Sequence, residues 1–457
     1  MFDAIKNKIN KIPDYKFYGK VYSITGLMVE VEGMQGMLAT GTKCSILNNS
    51  GKRTLAEVVG LKADKAIVMP FEDLYDVSVG SIVELEETSN HIFPSENWLG
   101  RVVNALGKPI DDKGPLDDGE QAYLYKNPPI PAHKRAMVEG KVDLGVRAVN
   151  SFVTCCKGQR IGVFAGSGVG KSMLVSMLTK YSEADIKIIG LIGERGRELQ
   201  EFLNNYLGEE GLKGAVVIAA TSDESALMRR QAAYLTMSVA EYFRDQGKEV
   251  LCLMDSVTRF AMAQREIGLS AGEPPATRGY TPSVFTEMPK LLERAGPGRE
   301  GKSGNITGLF TVLVEGDDHN EPISDTVRGI LDGHVVLERK IAERGRYPAI
   351  NVLKSVSRTM PACNTPEQNQ LVDRAKELLS IYDDMAEMIR LGAYIMGSDA
   401  KVDEAIKYYP ELEEFLKQQP NDKDGTLPNC YKKLAEILGL TQQNQQEPQP
   451  QLNKLND

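Results

Sequence analysis

Cysteine and histidine are scarce in this sequence, at 6 and 4 of 457 residues. The cysteines (Cys44, Cys155, Cys156, Cys252, Cys363 and Cys430) form no CxxC pair, and the adjacent Cys155 and Cys156 suit neither zinc spacing nor an easy disulfide. The histidines lie far apart, so no metal cluster is expected among them. No apolar run approaches the roughly 20 residues that span a bilayer. The opening Met1-Phe2-Asp3-Ala4-Ile5-Lys6 has no apolar core of a secretory signal. Together these absences point to the reducing cytoplasm. Positive charge is not in excess either. A net charge of −9 argues against a general polyanion-binding surface, so no nucleic-acid partner is expected.

What remains is a globular composition, 42% hydrophobic and 26% charged, on a chain too long for one ordinary core. Two or three domains are expected. One stretch organises them. Arg160-Ile161-Gly162-Val163-Phe164 reads as a buried strand, and Gly166, Ser167, Gly168, Val169, Gly170, Lys171 and Ser172 read as a loop. Met173, Leu174, Val175, Met177 and Leu178 continue at helical spacing. Glycines let successive N–H groups turn toward phosphate oxygens, and the helix N-terminus adds its positive dipole end. Lys171 then reaches the β- and γ-phosphates, and the Ser172 hydroxyl ligates Mg²⁺. Ala165 stands where the first glycine of the motif is expected. The competing reading is a tight strand-to-helix turn with a chance lysine.

Around that loop the pattern changes three times. Residues 2–12 place Phe2, Ile5, Ile9 and Ile12 on one helical stripe before Pro13, which either docks a partner or packs on its own domain. Residues 18–90 carry short alternating strands and predict a small β-barrel or sandwich. A Pro- and Gly-rich link follows, ending near Pro128-Pro129-Ile130-Pro131. From about Val142 to Arg358, apolar strands alternate with helical patterns, an α/β domain with a largely parallel sheet. The strand 186–192 ends at Glu194, and the strand 249–254 ends at Asp255. Ligands of such sheets collect at the carboxyl ends of strands, where Lys171, Glu194 and Asp255 all fall. Asp255 suits an Mg²⁺ partner, or else a helix cap. Glu194 suits a carboxylate that polarises water, or else an ion pair with Arg195 or Arg197. After Pro361 the pattern is helical, and the glutamine-rich residues 441–457 read as disordered.

The stretches 193–198 (GERGRE), 255–261 (DSVTRFA), 272–280 (GEPPATRGY), 315–323 (EGDDHNEPI) and 355–358 (SVSR) resemble the ATPase of the flagellar type III export apparatus. That family is similar in turn to the catalytic subunits of rotary ATP synthases. The resemblance spans residues 18–416. Thr281 stands where the flagellar family usually has proline, whereas Ala165 is common in the export ATPases. The resemblance implies an α/β fold with a central P-loop (RecA-like) domain over 91–360, the N-terminal small β-barrel over 18–90 and a C-terminal helical domain over 361–440. It implies ATP as substrate and Mg²⁺ as cofactor, with the nucleotide held by Ala165, Gly166, Ser167, Gly168, Val169, Gly170, Lys171, Ser172 and Met173. Ser172 and Asp255 would hold the metal. Glu194 matches the carboxylate that orients water, Arg195 the arginine beside it, and Tyr347 the aromatic residue that stacks on adenine. Arg358 matches an arginine finger acting on a neighbouring subunit's nucleotide, which gives a physical reason for a homohexamer. Ile381-Tyr382-Asp383-Asp384-Met385 falls where the family has a loop touching a central stalk. Further implied partners are an export regulator or stator protein, the export gate and chaperone–substrate complexes. The chain would then associate peripherally with the cytoplasmic face of the inner membrane. A rotary synthase subunit, a virulence-type secretion ATPase and a hexameric nucleic-acid motor are the alternatives.

Overall fold

The computed structural model describes residues 16–34, 36–86, 90–301, 304–318 and 320–440. The helix expected at 2–12 and the tail at 441–457 lie outside the described residues. Six strands, Tyr18–Thr25, Met28–Glu32, Lys43–Leu47, Arg53–Lys62, Lys65–Pro70 and Ile82–Leu85, close into a barrel, which decides between barrel and sandwich. Alternation explains the closure. Val21, Val29, Val31, Val58, Val68 and Val83 are buried inside, while their neighbours along each strand face outward. An ion pair buried on both sides, Arg230 to Glu57 at 2.7 Å, ties the barrel to the central domain.

The central sheet runs in the order Ile350–Ser357, Gly333–Leu337, Arg160–Ala165, Asn305–Leu313, Glu249–Asp255, Ile186–Glu194, Ala215–Thr221, Arg101–Asn104. Every neighbouring pair along this path is parallel except the first, where Ile350–Ser357 returns antiparallel. Helices cover both faces, so the inner strands are apolar along their whole length rather than alternating. One strand lies inside the stretch read as a link: Arg101–Asn104 forms the far edge beside Ala215–Thr221. Its 4 residues carry too short an apolar signal to stand out between glycines.

The C-terminal domain contains helices Pro366–Arg390, Ala400–Leu416 and Leu427–Ile437. Thr365 opens the first with a reciprocal capping box to Gln368. The stalk loop expected at Ile381-Tyr382-Asp383-Asp384-Met385 is corrected here, because those residues lie within that 25-residue helix. Nothing in them breaks a helix. The chain turns only afterwards, where Gly392 adopts φ +69°, and the turn exposes Leu391, Ile395 and Met396. Arg147, almost fully buried, locks this domain to the central one. Its Nε donates to the Phe415 carbonyl at 2.8 Å and its Nη1 to Asp424 Oδ1 at 2.8 Å. No helix among the described residues is long and apolar enough to cross a membrane.

Candidate active site

The strand Arg160–Ala165 enters the loop and the helix Lys171–Tyr181 leaves it. Gly168 at φ +77° and Gly170 at φ +93° supply the left-handed backbone that an L-residue rarely adopts. Val169 is buried as the loop's anchor, while Ser167 and Gly168 face solvent. Ser172 is exposed one residue into the helix, with Met173 behind it. The Ala165 carbonyl accepts the Val314 N–H at 3.0 Å, and Gly166 follows it, buried, into the turn.

Lys171 extends from this turn to the ends of two other strands. Its Nζ donates to Glu194 Oε1 at 3.1 Å and to Asp255 Oδ1. These ends come together because Ile186–Glu194 and Glu249–Asp255 are adjacent in the sheet. For each carboxylate the structure removes the competing reading. Ser256, not Asp255, caps the helix Val257–Ser270, its hydroxyl accepting from Arg259 N. Glu194 pairs with Lys171 rather than with Arg195 or Arg197. A cleft of about 240 Å³ opens here, lined by Ser172, Glu194, Arg197, Glu198 and Asp255 among others. Arg195, by contrast, is exposed at the N-terminus of the short helix Gly196–Glu201 and is not among the residues lining that cleft.

Burial, and then the charge of Asp255, push the Glu194 carboxyl up to about 7, against the opposing pull of Lys171. Burial alone would lower the Lys171 ammonium, but Asp255 and Glu194 together hold it above its ordinary range. The site thus keeps two carboxylates around one ammonium, an arrangement that an entering polyphosphate and its cation would share. Among the described residues no group of three His, Cys, Asp or Glu side chains gathers as a metal site. The Ser172 hydroxyl and the Asp255 carboxylate, both lining the cleft, are hard oxygen donors of the kind that a Mg²⁺ beside phosphates would take.

Three contributors went unnoticed in the sequence. The Thr311 hydroxyl donates to Asp255 Oδ1 at 2.6 Å, fixing the carboxylate from the neighbouring strand. Arg339 Nη2 donates to the Ser167 carbonyl at 3.0 Å, steadying the loop tip. Glu198, on the short helix that follows the strand end, also acts to raise the Glu194 carboxyl.

Tyr347 lies against the phosphate loop. A Cβ on Gly170 would lie 3.1 Å from its ring, and the ring is 36% exposed rather than buried in a core. Its carbonyl accepts the Gln418 N–H at 2.9 Å, so the helical domain holds this residue. Arg358 is elsewhere. Its N–H donates to the Asp332 carbonyl at 2.9 Å, and the Asp332 carboxylate clamps Arg160 at 2.9 and 3.0 Å, at the start of the loop strand. Arg358 therefore lies at the opposite end of the sheet from Lys171, on the order of 17 Å of strand away. It is exposed, and its Nη2 donates only weakly to the Arg328 carbonyl at 3.4 Å.

Comparison with known proteins assigns the three segments in turn. Residues 21–85 match the ATP synthase alpha/beta family beta-barrel domain, and residues 145–357 match the nucleotide-binding domain of the same family. Residues 364–436 match the T3SS EscN ATPase C-terminal domain. The flagellum-specific ATP synthase of Caulobacter vibrioides is 54% identical over 434 residues, 94% of this chain and 98% of that one. The chain belongs to this family. The flagellum-specific ATP synthase of Bacillus subtilis is 48% identical, covering 94% and 97% of the two chains. The assembled ATPase EscN from the type III secretion system of enteropathogenic E. coli superposes with a TM-score of 0.86 at 38% identity, covering 92% of this chain and 100% of that chain. The protein is an ATPase of type III protein export. Its higher identity to flagellum-specific relatives favours the flagellar system over a rotary synthase subunit or a virulence system.

Proposed function

We propose that this ATPase works as a homohexameric ring, hydrolysing ATP at the cleft between Lys171, Glu194 and Asp255 to drive release and unfolding of flagellar export substrates. The observation that carries it is the meeting of those three side chains at adjacent strand ends, with Tyr347 against the loop glycine. The backbone of residues 165–173 holds the phosphates, and Lys171 neutralises the β- and γ-oxygens. Ser172 and Asp255, the latter oriented by Thr311, would hold Mg²⁺, which would supply charge to offset that building on the transferred phosphoryl group. Glu194 lies within hydrogen-bond reach of Lys171 and orients the attacking water, accepting its proton as the new bond forms. Tyr347 stacks on adenine.

The position of Arg358 at the far end of the sheet supports a finger supplied to a neighbour rather than to its own nucleotide, and hence a ring. One similar structure is described as an assembled ATPase and another as the same ATPase in complex with its central stalk, which supports a homohexamer and a stalk partner here. The remaining partners we propose are an export regulator or stator protein, the export gate and chaperone–substrate complexes. The ring would sit at the cytoplasmic face of the inner membrane without crossing it. The test is Glu194→Gln. It should retain ATP binding by calorimetry while hydrolysis falls by about 10²-fold or more. Near-normal turnover would remove Glu194 from the mechanism.

A further inference from the structure

We propose that Cys156 and Cys363 form a redox modification site, a thiol pair that closes to a disulfide joining the nucleotide domain to the helical domain. Cys156 belongs to the short strand Cys155–Lys157, which pairs with Glu139–Val142 and leads through Gln159 into the phosphate-loop strand. Cys363 lies in the turn between Arg358 and the helix Pro366–Arg390. One side chain pins both segments. Gln159 Oε1 accepts from Cys156 N at 2.9 Å and from Thr359 Oγ1 at 3.0 Å. Cys363 N in turn donates to the Thr359 carbonyl at 3.0 Å. Across this clamp the two thiols are near enough to act on each other's ionisation, while the Cys363 thiol donates to Asn364 Oδ1 at 3.7 Å.

The pair is asymmetric in the way a two-step oxidation needs. Cys156 is 2% exposed, whereas Cys363 is partly open to solvent. Lys141, cross-strand from Cys156, reaches into the same cluster and donates to Gln368 Oε1 at 2.5 Å. The nearness of Cys156 draws the Cys363 thiol down, with Thr359 and the Lys141 charge acting in the same direction. The more exposed Cys363 therefore meets an oxidant first, with the buried Cys156 behind it as the resolving thiol. The neighbouring Cys155 is fully buried and pushed up by burial first, with Cys363 and Asp332 acting in the same direction, which leaves it out of the exchange. The adjacent pair 155 and 156 is thus unsuited to a disulfide, as its spacing implied, but Cys156 has a partner from a distant part of the chain.

With hydrogen peroxide as oxidant, the Cys363 thiolate attacks one peroxide oxygen. An S–O bond forms, the O–O bond breaks, and the departing hydroxide takes a proton to become water. The Cys156 sulfur then attacks the Cys363 sulfenic sulfur. The S–S bond forms, the S–O bond breaks, and hydroxide leaves with the thiol proton as a second water. Two thiols and one peroxide become one disulfide and two waters.

The purified full-length protein, freed of reductant, should lose two of its 6 thiols on peroxide treatment. Peptide mapping should show one cross-link, Cys156 to Cys363, reversed by dithiothreitol. Cys155→Ser should keep that cross-link, which separates the two adjacent cysteines carried on one tryptic peptide. Cys156→Ser should abolish it and leave a Cys363 sulfenic acid that dimedone captures, and circular dichroism would establish that both variants are folded. The proposal is overturned if Cys363 in the unsubstituted protein passes to sulfinic acid without cross-linking, or if a cross-link to Cys363 persists in Cys156→Ser.

Discussion

Glu194 titrates close to the pH at which it is needed. Its carboxyl is held up at about 7 by burial first and by the Asp255 charge second. The ionised form orients water, so kcat/KM for ATP should rise with pH through a limb near 7 and flatten above it. Glu194→Gln should lose that limb along with most of the rate, and a limb that survives the substitution would belong to another group. The stability sign runs the other way. A folded-state value above the ordinary one favours the protonated form, so this group's contribution is complete below about 4.5 and is lost as pH rises through about 7. The working state is the less stable one. Lys171, Glu194 and Asp255 were legible in the sequence because each ends an apolar strand or opens the loop beyond one. Thr311 was not, since a hydroxyl inside the apolar run Asn305–Leu313 has no pattern of its own. Arg195 and Arg197 look equivalent in sequence. The start of a helix between them turns Arg197 into the cleft and leaves Arg195 at the surface.

At the level of elements, the strand Ile186–Glu194 carries its own device for aiming Glu194. The register against Ala215–Thr221 shifts between Ile192 and Glu194, and Gly193 there adopts φ +68°. A Cβ at Gly193 would meet Arg259 side-chain carbons at 2.9 Å. The irregularity bends the strand end so that the carboxylate faces Lys171. Gly193→Ala should therefore lower kcat by roughly 10–100-fold through misplacement of Glu194, with ATP affinity changed little. Stopped-flow binding beside steady-state turnover would check this, and a matching loss of affinity would mean that the whole loop had moved. The parallel strands were readable because apolar runs between helices signal burial on both faces. Arg101–Asn104 was too short to read, and only its pairing with Ala215–Thr221 makes it a strand. The helix Pro366–Arg390 was legible as an apolar stripe; a loop at 381–385 was implied only by the family resemblance, and the helix instead runs on until Gly392 turns left-handed.

For the molecule as a whole, the proposed ring would make each subunit the owner of two half-sites, one at Lys171 and one at Arg358. Arg358→Ala rings should bind ATP and hydrolyse it poorly, the finger being worth ~10³–10⁵ in rate in related phosphoryl-transfer sites. Mixed with Glu194→Gln subunits, they should regain part of the activity, because some junctions then join an intact Glu194 to an intact Arg358. Assembled mixtures that give only the weighted sum of the two mutant rates would refute a finger in trans. The helical domain adds a different kind of reach. Helix Pro366–Arg390 begins a few residues after Arg358, and its first turns, with Leu371, Val372, Ala375, Leu378 and Leu379, are buried. The same domain holds the Tyr347 carbonyl through Gln418. At 25 residues the helix is about 37 Å long. A tilt of about 5° at its seated end sweeps Leu391 and the turn beyond it through about 3 Å. Its seated end stands beside Arg358, at the far end of the sheet from the phosphate loop, so a tilt begun at that junction would reach the exposed turn magnified along the helix.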